Sequence, residues 1–174
     1  MARNYGYKKT QNQLRKAGWP EHSFRTPDKI FSNIWLSGIA FDEDIVMWAY
    51  NKGFTHILNA CGSGGECMYL TDPNVVNINY LSLEMEDSPD FNILDYLEKS
   101  YNFINQAYDE NGKLLIHCMW GQSRSVSCLV HFIMKKWKIC YVDAKNIVVY
   151  YRPEALPNSG FASQLISLQN DLLK

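Results

Sequence analysis

Leu115-Ile116-His117-Cys118-Met119-Trp120-Gly121-Gln122-Ser123-Arg124-Ser125 is the stretch on which the reading of this chain turns. Just before it, Lys113 to His117 carries Leu114, Leu115 and Ile116 in a short apolar run, the pattern of a strand buried on both faces. Just after it, Ser123 to Trp137 runs through Val126, Cys128, Leu129, Val130, Phe132, Ile133 and Met134. That segment is apolar nearly all round, so it reads as a central helix. Cys118 and Arg124, with five residues between them, sit in the loop that joins strand to helix. In open α/β sheets, ligands bind at such carboxyl ends of strands.

The residue types in this loop suit a phosphate. A tight loop feeding a helix turns its free N–H groups inward as an anion nest, and the helix N-terminus adds partial positive charge. Gly121 can take a backbone conformation that other residues resist. The planar fork of Arg124 can hold two phosphate oxygens. Cys118 lies at the floor, where the same field favours a thiolate over the free thiol with its pKa of about 8.5. A thiolate attacks phosphorus without help from a metal.

Outward from this loop, the chain alternates between the two periodicities. Ile30, Phe31, Ile34, Trp35 and Leu36 read as one or two short strands; Asp42 to Lys52 as a helix closed by Gly53; Phe54 to Asn59 as a strand. Val75 to Leu83 reads as a further strand and Asp87-Ser88-Pro89-Asp90 as a turn. Asn92 to Tyr108 reads as a helix ended by Asn111-Gly112, and two more helices follow, over about Val142 to Tyr151 and Gly160 to Leu173. Strands alternating with helices predict an α/β domain on a largely parallel sheet. The glycine loop Gly62, Gly64, Gly65 has no Lys-Ser/Thr after it and is not a nucleotide P-loop.

At 174 residues with 47% apolar side chains, the chain fits one domain with a full core. A formal net charge of -1 gives no global field toward nucleic acid or membrane, and neither is expected as a partner. No stretch is long and apolar enough to span a bilayer, and the first residues lack the apolar core of a signal peptide. The five cysteines (Cys61, Cys67, Cys118, Cys128 and Cys140) follow no zinc spacing and need form no disulfide framework. These readings place the chain in the cytoplasm or nucleus, with no cofactor and no metal. Residues 1–28 form an arm that is basic at first (Arg3, Lys8, Lys9, Arg15, Lys16), ahead of a domain spanning 29–174. The arm is read as a solvated terminus, with docking or homodimer formation as its possible further use.

His117-Cys118-x-x-Gly121-x-Ser123-Arg124-Ser125 resembles the signature loop of the cysteine-based protein tyrosine phosphatase superfamily, and within it the dual-specificity phosphatases of the small atypical type. The resemblance covers roughly residues 28–172. Ile34-Trp35-Leu36-Ser37-Gly38 is similar to the family's opening strand, with Ser37 inserted, and Thr55-His56-Ile57-Leu58-Asn59 to its Val-Leu-Asn strand. Arg152-Pro153 and Pro157-Asn158-Ser159-Gly160-Phe161 with Gln164-Leu165 match its C-terminal pattern. The implied fold is a twisted, mostly parallel sheet of about five strands flanked by helices. The implied reaction is hydrolysis of phosphotyrosine and phosphoserine/threonine in a phosphorylated protein, through a cysteinyl-phosphate on Cys118.

The resemblance also distributes roles. Residues 117–124 (His117, Met119, Trp120, Gly121, Gln122, Ser123 and Arg124 around the nucleophile) form the phosphate-binding loop. Ser125 donates a hydrogen bond to the Cys118 sulfur as the phosphoenzyme breaks down. Asn158 braces the loop backbone, and His117 orders the loop and depresses the thiol pKa. A general acid must protonate the leaving oxygen, and the family places an Asp on a loop after a strand about thirty residues before the Cys. Asp87 fits, with Asp90 second and Glu86 third; Asp90 also suits the start of the following helix. The uncharged Met119, Trp120 and Gln122 argue against a polyanionic lipid headgroup. The rival readings are an RNA 5′-phosphatase or other non-protein phosphatase on the same fold, and a phosphate-binding scaffold. Cys61, at the end of a neighbouring strand, is a candidate redox partner of Cys118, whereas Cys128, one helical turn along, reads as core.

Overall fold

The computed structural model describes residues 27–39, 44–62 and 71–174, so the basic arm and the glycine loop beyond Gly62 lie outside the described residues. Five strands form one sheet: β1 Asp28–Lys29, β2 Ile34–Gly38, β3 His56–Asn59, β4 Asn79–Ser82 and β5 Leu114–Cys118. Their spatial order is β1-β2-β5-β3-β4. Only β1 runs antiparallel to its neighbour; β2, β5, β3 and β4 are parallel. Among the described residues the sheet begins at Asp28, the last residue of the segment read as an arm.

The described helices are α1 Ile45–Asn51, α2 Leu94–Asp109, α3 Arg124–Trp137, α4 Tyr141–Tyr151 and α5 Ser159–Leu172. In register, Leu36, Ile116, Leu58 and Leu81 share one face of the sheet and enter the main core with α2 to α5. Trp35, Leu115, Ile57 and Tyr80 share the other face, where Ile45, Val46 and Ala49 of α1 cover them. With helices on both faces, all five residues of β5 are buried, which is why its sequence is a continuous apolar run rather than an alternation. Residues 125–134 of α3 are likewise all buried, as its apolar circumference predicts.

Local chemistry sets the ends. Asp44 caps α1, its Oδ1 accepting from the Val46 N–H at 3.0 Å, and Gly53 follows with φ +74°. The strand expected over Val75 to Leu83 is shorter than its composition suggests. Asn77 takes a left-handed φ of 56°, Val75 is 79% exposed, and residues 73–77 form turns. The Asx-type bond from the Asn74 N–H to Asp72 Oδ1 (2.9 Å) makes turning cheaper than extension there.

Candidate active site

The phosphate-suited loop leaves the sheet at Cys118, the last residue of β5, which pairs with Gly38 at the end of β2. Cys118 is 1% exposed, at the floor. Each carbonyl along residues 119–123 accepts from a donor outside the turn. Ile39 N–H bonds Met119 O at 3.1 Å, and Leu156 N–H bonds Gln122 O at 2.8 Å. Arg152 Nη2 bonds Trp120 O at 3.3 Å and its Nε bonds Gly121 O at 2.8 Å. Ser127 bonds Ser123 O through both its N–H and its Oγ, each at 2.8 Å. In a planar trans peptide the N–H points opposite to the carbonyl. Carbonyls fixed outward therefore fix the loop's N–H groups inward, over the thiol.

Gly121 is required twice over. Its φ is +64°, and a Cβ there would run into the main chain of Ser37 and Gly38. The loop thus lies flat on the end of β2, which no side chain at 121 permits.

Ser125, at the start of α3, donates its hydroxyl to Cys118 Sγ at 3.1 Å, inside the core. Arg124 donates Nη1 to Met85 O at 3.3 Å, and its buried Nε has no hydrogen-bond partner. That Nε is 3.7 Å from Asp87 Oδ2. An unspent guanidinium donor beside the loop is available to an oxyanion.

Asp87 is brought to this group from the loop after β4. Its Oδ1 accepts from Ser123 Oγ at 2.7 Å and from Asn158 Nδ2 at 2.9 Å. Glu86 and Asp90 are exposed, and among the described hydrogen bonds neither carboxylate reaches the loop. Asp90 does not cap the following helix either, because the Leu94 N–H donates to Asn92 Oδ1 at 3.1 Å. The segment carrying Asp87 is docked onto the first turns of α5. Gly160 meets Pro89 so closely that a Cβ would overlap the Pro89 carbonyl. Gln164 donates Nε2 to Phe91 O at 2.8 Å and accepts the Ile93 N–H at 2.9 Å.

Two expected roles change on inspection. Asn158 does not bond the loop backbone: its Oδ1 caps α5 by accepting the Phe161 N–H, its Nδ2 holds Asp87, and its own N–H donates to Ser123 Oγ at 3.1 Å. His117 is fully buried and neither ring nitrogen has a hydrogen-bond partner. Burial holds its imidazole down at about 4, against an opposing pull from the Cys118 main chain and with help from the Arg124 charge. It is neutral at pH 7 and brings no positive charge to the thiol. Its ring faces the α1 side of the sheet, one residue from Cys118, in register with Ser37 and Asn59.

A stability consequence follows from His117 together with His131, which burial also holds at about 4, the nearby Lys135 charge adding to the effect. In the unfolded chain both titrate near ~6.5. Above that, neither state carries the protons and the fold keeps its full stability. As pH falls through 6.5 toward 4, the unfolded chain takes up about two protons that the fold refuses. Stability is then lost with a slope approaching about 2.7 kcal/mol per pH unit. Thermal melts should show Tm falling steadily between pH 6.5 and 5, above the carboxylate range. A flat Tm there means the histidines are charged in the fold.

The cysteines separate cleanly. Cys118, Cys128 and Cys140 are free thiols. Cys61 is disulfide-bonded, so it is not an available redox partner for Cys118. Burial pushes the Cys128 thiol up to about 12, consistent with a core residue. Arg152 is the residue that sequence reasoning passed over, noted there only as part of a C-terminal pattern. The signal was a lone Arg at a helix end, fixed before Pro153 and followed by Glu154, in a segment otherwise apolar enough to be buried.

Comparison with known proteins agrees with this geometry. The model of the dual specificity phosphatase catalytic domain matches residues 44–171. Dual specificity protein phosphatase 1B of Arabidopsis thaliana is 32% identical over 130 residues, covering 71% of this chain and 74% of the relative. Dual specificity protein phosphatase 19 of Mus musculus is 34% identical over 115 residues, covering 66% of this chain and 50% of the relative. The chain thus spans half to three-quarters of the length of these curated relatives. The crystal structure of human DUSP28 superposes with a TM-score of 0.72 at 22% identity, covering 86% of this chain and 97% of that one, a likeness of fold. With its signature loop, its sheet order and a family match over most of its length, the chain belongs to the dual specificity phosphatases, a family of protein-tyrosine/serine/threonine phosphatases.

Proposed function

We propose that this chain hydrolyses phosphotyrosine and phosphoserine/threonine in proteins through a Cys118 phosphoenzyme, without a metal. The observation that carries it is the convergence of four groups: the Cys118 thiol with Ser125 on its sulfur, the inward N–H loop, the unspent Arg124 donor, and Asp87 tethered beside them. The loop N–H groups and Arg124 take the phosphoryl oxygens, neutralising charge that spreads over them in the transition state. Cys118 Sγ attacks phosphorus as a thiolate, the P–O ester bond breaks, and Asp87 transfers its proton to the departing oxygen. Water then attacks the S–P bond while ionised Asp87 accepts its proton. The leaving thiolate is stabilised by the Ser125 hydroxyl, and inorganic phosphate departs.

The protein class of substrate rests on what the loop lacks. Met119, Trp120 and Gln122 add no cation to meet a second phosphate, as an inositol lipid or a 5′-triphosphate RNA would require. Phosphotyrosine and phosphothreonine peptides should both be turned over in chelator and reductant, and at least tenfold faster than either polyphosphate substrate. Preferential release from triphosphate-ended RNA would instead support the RNA 5′-phosphatase reading. Phosphopeptide binding with no turnover would leave a scaffold.

A further inference from the structure

Arg152, at the end of α4, is the largest fully buried side chain among the described residues. One edge of its guanidinium serves the phosphate loop, with Nε on Gly121 O and Nη2 on Trp120 O at 2.8 and 3.3 Å. Its other edge meets two carboxylates. Nη1 bonds Asp28 Oδ2 at 2.6 Å, and Nη2 is 3.4 Å from Glu154 Oε1, an oxygen without a hydrogen bond. Asp28 opens β1, on the edge of the sheet, and is placed by its antiparallel pairing with Leu36.

We propose that Asp28 is a positioning residue for phosphate binding, acting through Arg152 on the loop carbonyls; the link to catalysis rests on the phosphatase reading above. A buried guanidinium needs counter-charge, and a planar fork has one orientation in which all its donors are used. Glu154 supplies charge without a hydrogen bond. Asp28 supplies the short bond that fixes the rotation of the fork, and so decides where Nε and Nη2 point. Without it, Nη1 loses its carboxylate acceptor and the fork can swing toward Glu154. Gly121 O and Trp120 O then lose their donors, and the peptides whose N–H groups face the phosphate are no longer held. The first strand of the domain thereby sets the geometry of a loop 90 and more residues away in sequence, with no contact to the phosphate.

The test uses the full chain and tungstate, an oxyanion of phosphate's shape and charge, with its dissociation constant read by calorimetry beside kcat and KM for an aryl phosphate. Asp28→Ala removes the acceptor while Glu154 still neutralises Arg152. It should weaken tungstate binding about tenfold and raise KM in step. Asp28→Asn keeps an acceptor oxygen in place and should recover binding to within about threefold of the wild type. Lys29→Gln, on the same edge strand, should leave both readouts unchanged. A folded Asp28→Ala that binds tungstate as the wild type does overturns the proposal. Should Asp28→Ala fail to fold, Asp28→Ser, whose hydroxyl is too short to reach Nη1, decides: wild-type tungstate affinity there overturns it. A wild type that binds tungstate but hydrolyses nothing removes the phosphatase reading, while weaker binding in Asp28→Ala still supports this one. A wild type that binds no tungstate overturns both.

Discussion

Cys118→Ser should abolish turnover of para-nitrophenyl phosphate, by at least ~10⁴-fold, in a protein that melts as the wild type does. The sulfur is the nucleophile that the loop encloses at its floor, and sulfur attacks phosphorus far more readily than a neutral hydroxyl. An alcohol there is no nucleophile without a base, and the buried imidazole of His117 faces the other side of the sheet. The substitution is nearly isosteric in a site that is 1% exposed, so packing is kept and the Ser125 hydroxyl still has an acceptor. Phosphopeptide or oxyanion binding should survive, because the loop N–H groups and Arg124 are untouched. The assay is run in chelator and reductant beside the wild type. Activity in the Cys118→Ser variant within tenfold of the wild type would mean that another nucleophile, or a metal-bound water, carries the reaction. Arg124→Lys, by contrast, keeps the thiol but replaces a forked donor by a point charge, and should lose about 10²–10³ in kcat/KM.

How much of this could be read in advance depends on whether the determining forces are local. The strand-loop-helix around Cys118 was legible because β5 and α3 are buried all round, and a buried element writes its burial into every position. The parallel sheet followed from the alternation of elements. The strand over Val75 to Leu83 was overextended because β-branched and apolar residues there resemble a strand, whereas Asp72, Asn74 and Asn77 turn the chain first. The contacts that organise the site were the least legible, since they join residues far apart in sequence. Nothing near Asn158 says that its amide reaches Asp87, and nothing near Arg152 says that its fork ends on Gly121 and Asp28. Burial neutralises His117, and burial is a property of the assembled sheet. The disulfide at Cys61 was not legible either, since cysteine count and spacing constrain pairing only loosely.

The choice of Asp87 as general acid yields the second large effect. Asp87→Asn should lower kcat about 10²-fold for phenyl phosphate, and much less for an ester of a more acidic phenol, whose oxygen leaves without a proton. Asn is the informative replacement because its amide oxygen can still accept from Ser123 Oγ and Asn158 Nδ2, so the tether and the docked loop are retained and only the transferable proton is lost. Tungstate binding, which needs no proton, should change little. The pH profile of kcat should lose the limb that reports the acid. Gly160→Ala makes the complementary case, for it leaves Asp87 chemically intact but forces Pro89 off α5, carrying the carboxylate away from the leaving oxygen. It should show the same dependence on leaving group, with the pH limb preserved. Equal losses for acidic and weakly acidic phenols in Asp87→Asn would remove Asp87 from the proton transfer. Asp90→Asn and Glu86→Gln, which lie on the same loop but reach none of these groups, would then be the variants in which to look for the lost sensitivity.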